Sequence, residues 1–142
     1  MTPPERDTLS ARAWLGCVDR DLDSARKLAH AEGAPEVICF LCQQAAEKAL
    51  KAYLAWLSEE PIPFFHDLVR LGELLESRGG AAPPREALLR LTPYSVAPRY
   101  PSFRPILPHE APQALAAATE VVDFVYVATG LGQGPSVCEP GG

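Results

Sequence analysis

The side chains with the most to offer chemically are Gln44, Glu47, Lys48 and Lys51. At about 100° per residue of an α-helix, Lys48 falls about 40° to one side of Gln44, with Lys51 about 20° and Glu47 about 60° to the other. An amide, a carboxylate and two ammonium groups thus share one narrow stripe. Two chemistries are open to them. The groups can pair locally, Glu47 with Lys51 and Gln44 with Lys48, for about 0.3–0.5 kcal/mol each. Alternatively, the two lysines form the floor of an anion site. The rest of the circumference carries Ile38, Leu41, Cys42, Ala45, Ala49, Leu50, Tyr53, Leu54, Trp56 and Leu57. A helix so apolar belongs at the centre of its fold, where any charge it keeps must be compensated.

A second set of chemical groups lies between Pro93 and Pro112. Six prolines in twenty residues there embed Tyr94, Arg99, Tyr100, Phe103, Arg104 and His109. Long connections of this kind are often functional. Charge is distributed unevenly around it. Residues 1–77 carry eight basic and thirteen acidic side chains, residues 78–104 five arginines against Glu86 alone, and residues 105–142 four acids and no base. An acidic chain with one arginine-rich, aromatic-bearing segment suits a localised anion, not the coating of nucleic acid. We therefore expect Lys48, Lys51, Arg99 and Tyr100 to face one cleft, with Gln44 and Glu47 on its wall and His66 nearby. Arg99 would offer a phosphate its bidentate fork, and Tyr100 a ring for stacking on a base.

Proline maps the elements that must hold these groups. Fifteen prolines leave 5–34, 36–60, 64–82 and 113–134 untouched, and proline is expelled from helix interiors. Each gap repeats its apolar residues at three and four. The first does so through Trp14, Leu15, Val18, Leu22, Ala25 and Ala29. The third does so through Leu68, Leu71, Leu74 and Leu75, and the last through Leu115, Ala118, Val121, Val122, Val125 and Ala128. A short segment from Pro84 adds Leu88, Leu89 and Leu91. No stretch alternates with period two. The expected fold is all-α, an up-and-down bundle of four long helices plus one short helix over residues 1–130, followed by a disordered Gly/Pro-rich tail, 131–142. The last helix reads apolar nearly all round, and a two-fold homodimer would bury its spare face, with Val37 and Phe40 contributing.

Other classes fall away. No apolar run approaches the length of a membrane span. The start, Met-Thr-Pro-Pro-Glu-Arg-Asp, lacks a basic-then-apolar leader, which predicts a cytoplasmic protein. Cys39 and Cys42 lie inside an apolar helical run and read as packing thiols. His30, His66 and His109 are not spaced to complete a zinc site with them. No metal or cofactor is expected.

Phe40-Leu-Cys-Gln-Gln-Ala-Ala-Glu-Lys-Ala-Leu-Lys-Ala-Tyr-Leu54, then His66-Asp67-Leu68, then Arg99-Tyr100-Pro101, in that order and spacing, resemble the HEPN domain family. The name stands for a nucleotide-binding domain of higher eukaryotes and prokaryotes. The resemblance covers about residues 8–130. It implies a four- or five-helix bundle, commonly a homodimer, frequently paired with a minimal nucleotidyltransferase as a toxin–antitoxin couple. The family's polar positions fall on Gln44, Glu47, Lys48, Lys51, His66, Asp67, Arg99 and Tyr100. Ser102 stands where an acidic residue often follows the Arg-Tyr-Pro segment. The ribonuclease branch of the family uses an arginine followed at a short spacing by a histidine, and Arg104 and His109 meet the bare spacing. A base and a cation of this kind could cleave RNA without metal. Pro105 and Pro108, however, favour an extended stretch that separates the two by roughly 15 Å. The expected role is therefore a binding module for a nucleotide or other phosphate-bearing ligand, with the ribonuclease and a ligand-free structural homodimer as alternatives.

Overall fold

The proline-free gaps are the helices. α1 spans Glu5–His30, α2 Pro35–Leu57, α3 Leu68–Ser77, α4 Arg85–Leu91 and α5 Glu110–Thr129, with 3-10 turns at Thr92–Tyr94 and Leu131–Gln133. The computed structural model describes residues 5–95 and 104–133, and among them there is no strand. Two elements differ from the sequence reading. The third gap yields a helix only from Leu68, because residues 58–67, which include Pro61 and Pro63, run without helical structure. Conversely, α5 begins at Glu110 and carries Pro112 in its first turn, where a missing N–H costs nothing. It ends at Gly130, whose φ of 71° is the left-handed cap that glycine adopts without strain.

Side-chain bridges fix the helix directions. Lys48 of α2 pairs with Asp21 of α1, across an antiparallel hairpin. Tyr126 of α5 donates to Asp19 of α1 at 2.6 Å, while Arg26 of α1 donates to Thr119. α5 therefore opposes α1 and runs alongside α2. The segment 58–67 doubles back along α2, which brings His66 level with Glu47. α3 then descends to Gly80, where a Cβ would come within 2.7 Å of Leu57. A larger residue there would displace the end of the Leu57 side chain and crowd the Tyr53 ring at the end of α2.

α2 packs on α1, α3, α4 and α5. Its small residues, Ala45, Ala46, Ala49, Ala52 and Ala55, are buried together with Ile38, Leu50 and Leu54, and they allow neighbouring helices to approach closely. The central position expected of this helix is the one observed. The last helix spends more of its apolar surface within the chain than the sequence suggested. Val121, Val122 and Val125 are buried, and the large apolar side chain left fully outside on α5 is Val127, 84% exposed. No helix among the described residues is long and apolar enough to cross a membrane. Leu131 is buried beyond α5, and residues 134–142 lie outside the described residues.

Candidate functional site

The polar stripe of α2 is organised around one carboxylate. Glu47 is buried, and its Oε2 accepts from Lys51 Nζ at 3.0 Å and from His66 Nδ1 at 2.9 Å. Its Oε1 accepts from Gln43 Nε2 at 3.1 Å, and Gln44 Nε2 donates in turn to Gln43 Oε1 at 2.7 Å. Burial alone would raise the Glu47 carboxyl, but the hydrogen bonds from His66, Gln43 and Lys51 outweigh it and hold the group below its ordinary value. Glu47 is thus an anion. A carboxylate can only accept, so we assign the His66 hydrogen to Nδ1. Nε2 is then the ring atom left to face outward, on a side chain 66% exposed.

Helix periodicity supplies half of this arrangement and the 58–67 return supplies the rest. Gln43, Glu47 and Lys51 succeed one another at i and i+4. Asp67 holds the other side in place. It caps α3 by accepting from the backbone N–H groups of Val69 and Arg70, so the residue before it is carried against α2. Phe65 is half-buried against the core, with the Arg70 guanidinium 4.2 Å over its ring.

A second carboxylate organises the start of α5. Glu110 accepts both arms of the Arg104 guanidinium, at 2.8 and 2.9 Å, the Tyr94 hydroxyl at 2.6 Å, and the Leu107 backbone N–H at 2.8 Å. The Arg104 hydrogen bond is the chief cause that pulls its pKa down to about 2. Tyr94 is pushed above the ordinary phenol range by burial and by this bond. Tyr94 precedes the Arg99-Tyr100 segment and Arg104 follows it, and both end on the same carboxylate.

The candidate residues therefore separate into four groups. Glu47, Lys51 and His66 meet directly, and Gln44 is linked to Glu47 through Gln43. Lys48 is taken by Asp21 at 2.7 Å, not by Gln44. Arg99, Tyr100 and Ser102 lie outside the described residues. Arg104 has its fork committed to Glu110, and His109 sits exposed at the N-cap of α5 without a side-chain capping bond. Cys39 and Cys42 are buried thiols, pushed up to about 11 and about 12, chiefly by burial. Thiols held protonated are poor nucleophiles and poor ligands. Among the described residues, no group of three or more His, Cys, Asp or Glu could hold a metal ion.

Sequence reasoning missed Gln43, Asp21 and Glu110. Gln43 was legible, since it stands four residues before Glu47. Asp21 and Glu110 carried no comparable local signal.

A family model described as the HEPN domain matches residues 11–128. Among solved structures, TT1696 from Thermus thermophilus superposes with a TM-score of 0.70 at 29% identity, covering 83% of this chain and 97% of that one. ST0689, described as an archaeal HEPN homologue, superposes with a TM-score of 0.61 at 24% identity, covering 82% of this chain and 95% of that one. No curated protein matches.

Proposed function

The chain belongs to the HEPN family, and from that premise we propose that it is a binding module for a nucleotide or other phosphate-bearing ligand. The ligand docks on the face of α2 where Glu47, Lys51 and His66 meet. One observation carries this reading. A single buried carboxylate gathers both an ammonium group and an imidazole on one oxygen, and holds the imidazole with its second nitrogen turned outward. Glu47 balances one positive charge. His66 offers its outward ring nitrogen to the ligand, and we assign to Arg99 the fork that holds the phosphate.

The module acts as a homodimer and as the partner of a minimal nucleotidyltransferase, in a toxin–antitoxin-type pair. This follows the family resemblance. The ribonuclease reading is disfavoured by the commitment of Arg104 to Glu110.

Titration calorimetry with nucleoside triphosphates tests the reading. We expect saturable binding by the wild type. His66→Ala combined with Arg99→Ala should weaken it more than tenfold, about 1.4 kcal/mol. Unaltered binding by that double variant would remove the site from this face. Co-expression with a small nucleotidyltransferase encoded beside the gene should yield a co-purifying complex, and separate elution would sink the pairing.

A further inference from the structure

We propose that His66 is a covalent modification site, a nucleophile whose Nε2 accepts the phosphoryl group of an acyl phosphate to give Nε2-phosphohistidine. The inference uses the face assigned above to ligand binding, but it concerns a covalent step and does not require a nucleotide.

Glu47 does not need the imidazole to satisfy it. Gln43 already donates to its Oε1 and Lys51 to its Oε2, both from buried positions. Nδ1 of His66 is nevertheless held on Oε2 at 2.9 Å. A buried, ionised carboxylate on Nδ1 fixes the tautomer whose lone pair lies on Nε2, and it raises the basicity of that nitrogen. The far end of the ring is open, on a side chain 66% exposed. His30 and His109 are exposed as well. Among the described residues neither of them has a carboxylate at hydrogen-bond distance. The chain thus carries its own comparison, three exposed imidazoles of which one is oriented by an anion.

The donor class follows from the protons this hub can spare. Lys51 and the ring's own Nδ1–H are both committed to Glu47, so neither is free to protonate a leaving group. The donor must therefore carry a group that departs as a stable anion, and the carboxylate of an acyl phosphate does so. In the step, the Nε2 lone pair forms the new N–P bond. The bond from phosphorus to the acyl oxygen breaks, and the carboxylate leaves with its electron pair. No proton moves. The ring keeps its Nδ1–H and gains a positive charge, which the ionised Glu47 stabilises where it already sits. Electrostatics do not oppose the approach either. The Lys51 ammonium offsets the Glu47 charge, so the phosphoryl group arrives on the outer side of a hub with no net negative charge. Gln43 and Lys51 also hold the carboxylate in place while the ring changes charge.

The test incubates the wild-type protein with acetyl phosphate at about pH 8, where an ordinary imidazole is uncharged. Peptide mass spectrometry under alkaline conditions then follows the acid-labile phosphohistidine at each of the three positions, and NMR of the ring identifies the nitrogen that carries the group. We expect phosphorylation of His66 on Nε2, at least about tenfold faster than at His30 or His109. Glu47→Gln keeps the shape of the side chain but not its charge, and should bring His66 down to the rate of the other two. Should that variant lose its helical spectrum, the ratio of rates within the wild type decides alone. Equal labelling of the three histidines, labelling on Nδ1, or transfer of the acetyl group in place of the phosphoryl group would overturn the proposal. Selective labelling of a protein that binds no nucleoside triphosphate in calorimetry would sustain the acceptor and end the binding reading. Nucleotide binding with unselective labelling would do the reverse.

Discussion

Replacing Glu47 with alanine should destabilise the protein by about 3–5 kcal/mol, read as a drop in the urea midpoint at unchanged slope. The size of the effect comes from what is left behind. Lys51 is only 8% exposed at its side chain, and its ammonium loses its carboxylate partner in the variant. Gln43 and His66 lose their acceptor as well. The double change Glu47→Leu with Lys51→Met should recover most of the loss, since a buried ion pair replaced by apolar side chains of similar volume is often neutral or better. Acid should act in the same direction as the single substitution. The folded-state pKa of Glu47 is depressed, so its contribution is complete above the ordinary carboxylate value and is lost as pH falls through the depressed one. A cost below about 1 kcal/mol for Glu47→Ala would mean that the Lys51 ammonium reaches water unaided, and the account of a buried hub would be wrong.

Glu110→Gln should cost about 2–3 kcal/mol at neutral pH, through the weakened charge-assisted bonds from Tyr94 and the Leu107 N–H. Its pH dependence is the distinctive part. The carboxyl is pulled from 4.5 to about 2, chiefly by Arg104. A depressed carboxylate stabilises the fold above its unfolded pKa and loses that contribution as pH falls toward the folded value. Wild type and variant should therefore differ most above about pH 5 and converge between about pH 4.5 and 2, as followed by far-UV circular dichroism in fixed urea. A difference that stays constant across that range would show that the Glu110 carboxyl titrates alike in the folded and unfolded protein, and that Arg104 does not depress it.

These two hubs were unequally legible in the sequence. The helices were readable because fifteen prolines left unambiguous gaps, and α2 could be placed at the centre because its polar residues occupy so little of its circumference. Glu47 with Lys51 follows from i, i+4 spacing alone. That His66 would complete the set depended on residues 58–67 doubling back along α2, a tertiary event to which only Pro61, Pro63 and the capping Asp67 contribute local signals. Spacing alone gives Lys48 the wrong partner for a similar reason. Asp21 lies 27 residues away, on another helix, and its partly buried carboxylate gives Lys48 an opposite charge that the neutral amide of Gln44 cannot. The spacing of Arg104 and His109 matches a motif, whereas Pro105 and Pro108 shape a turn that delivers the guanidinium to Glu110. The charge of an α5 first-turn acid near the helix dipole adds to that pairing, and nothing in the local pattern ranked it above the histidine.

The claim at the centre of this account is that a phosphate-bearing nucleotide binds the face built on Glu47. The most direct measurement is an NMR titration of the isotope-labelled wild-type protein with a nucleoside triphosphate, following the His66 ring nitrogens and the backbone amides. The account predicts saturable shifts in the His66 Nε2 resonance and in residues 43–51 and 64–70, with Nδ1 remaining bonded to Glu47 throughout. No saturable change at His66, or shifts confined to Arg104, His109 and the start of α5, would contradict it.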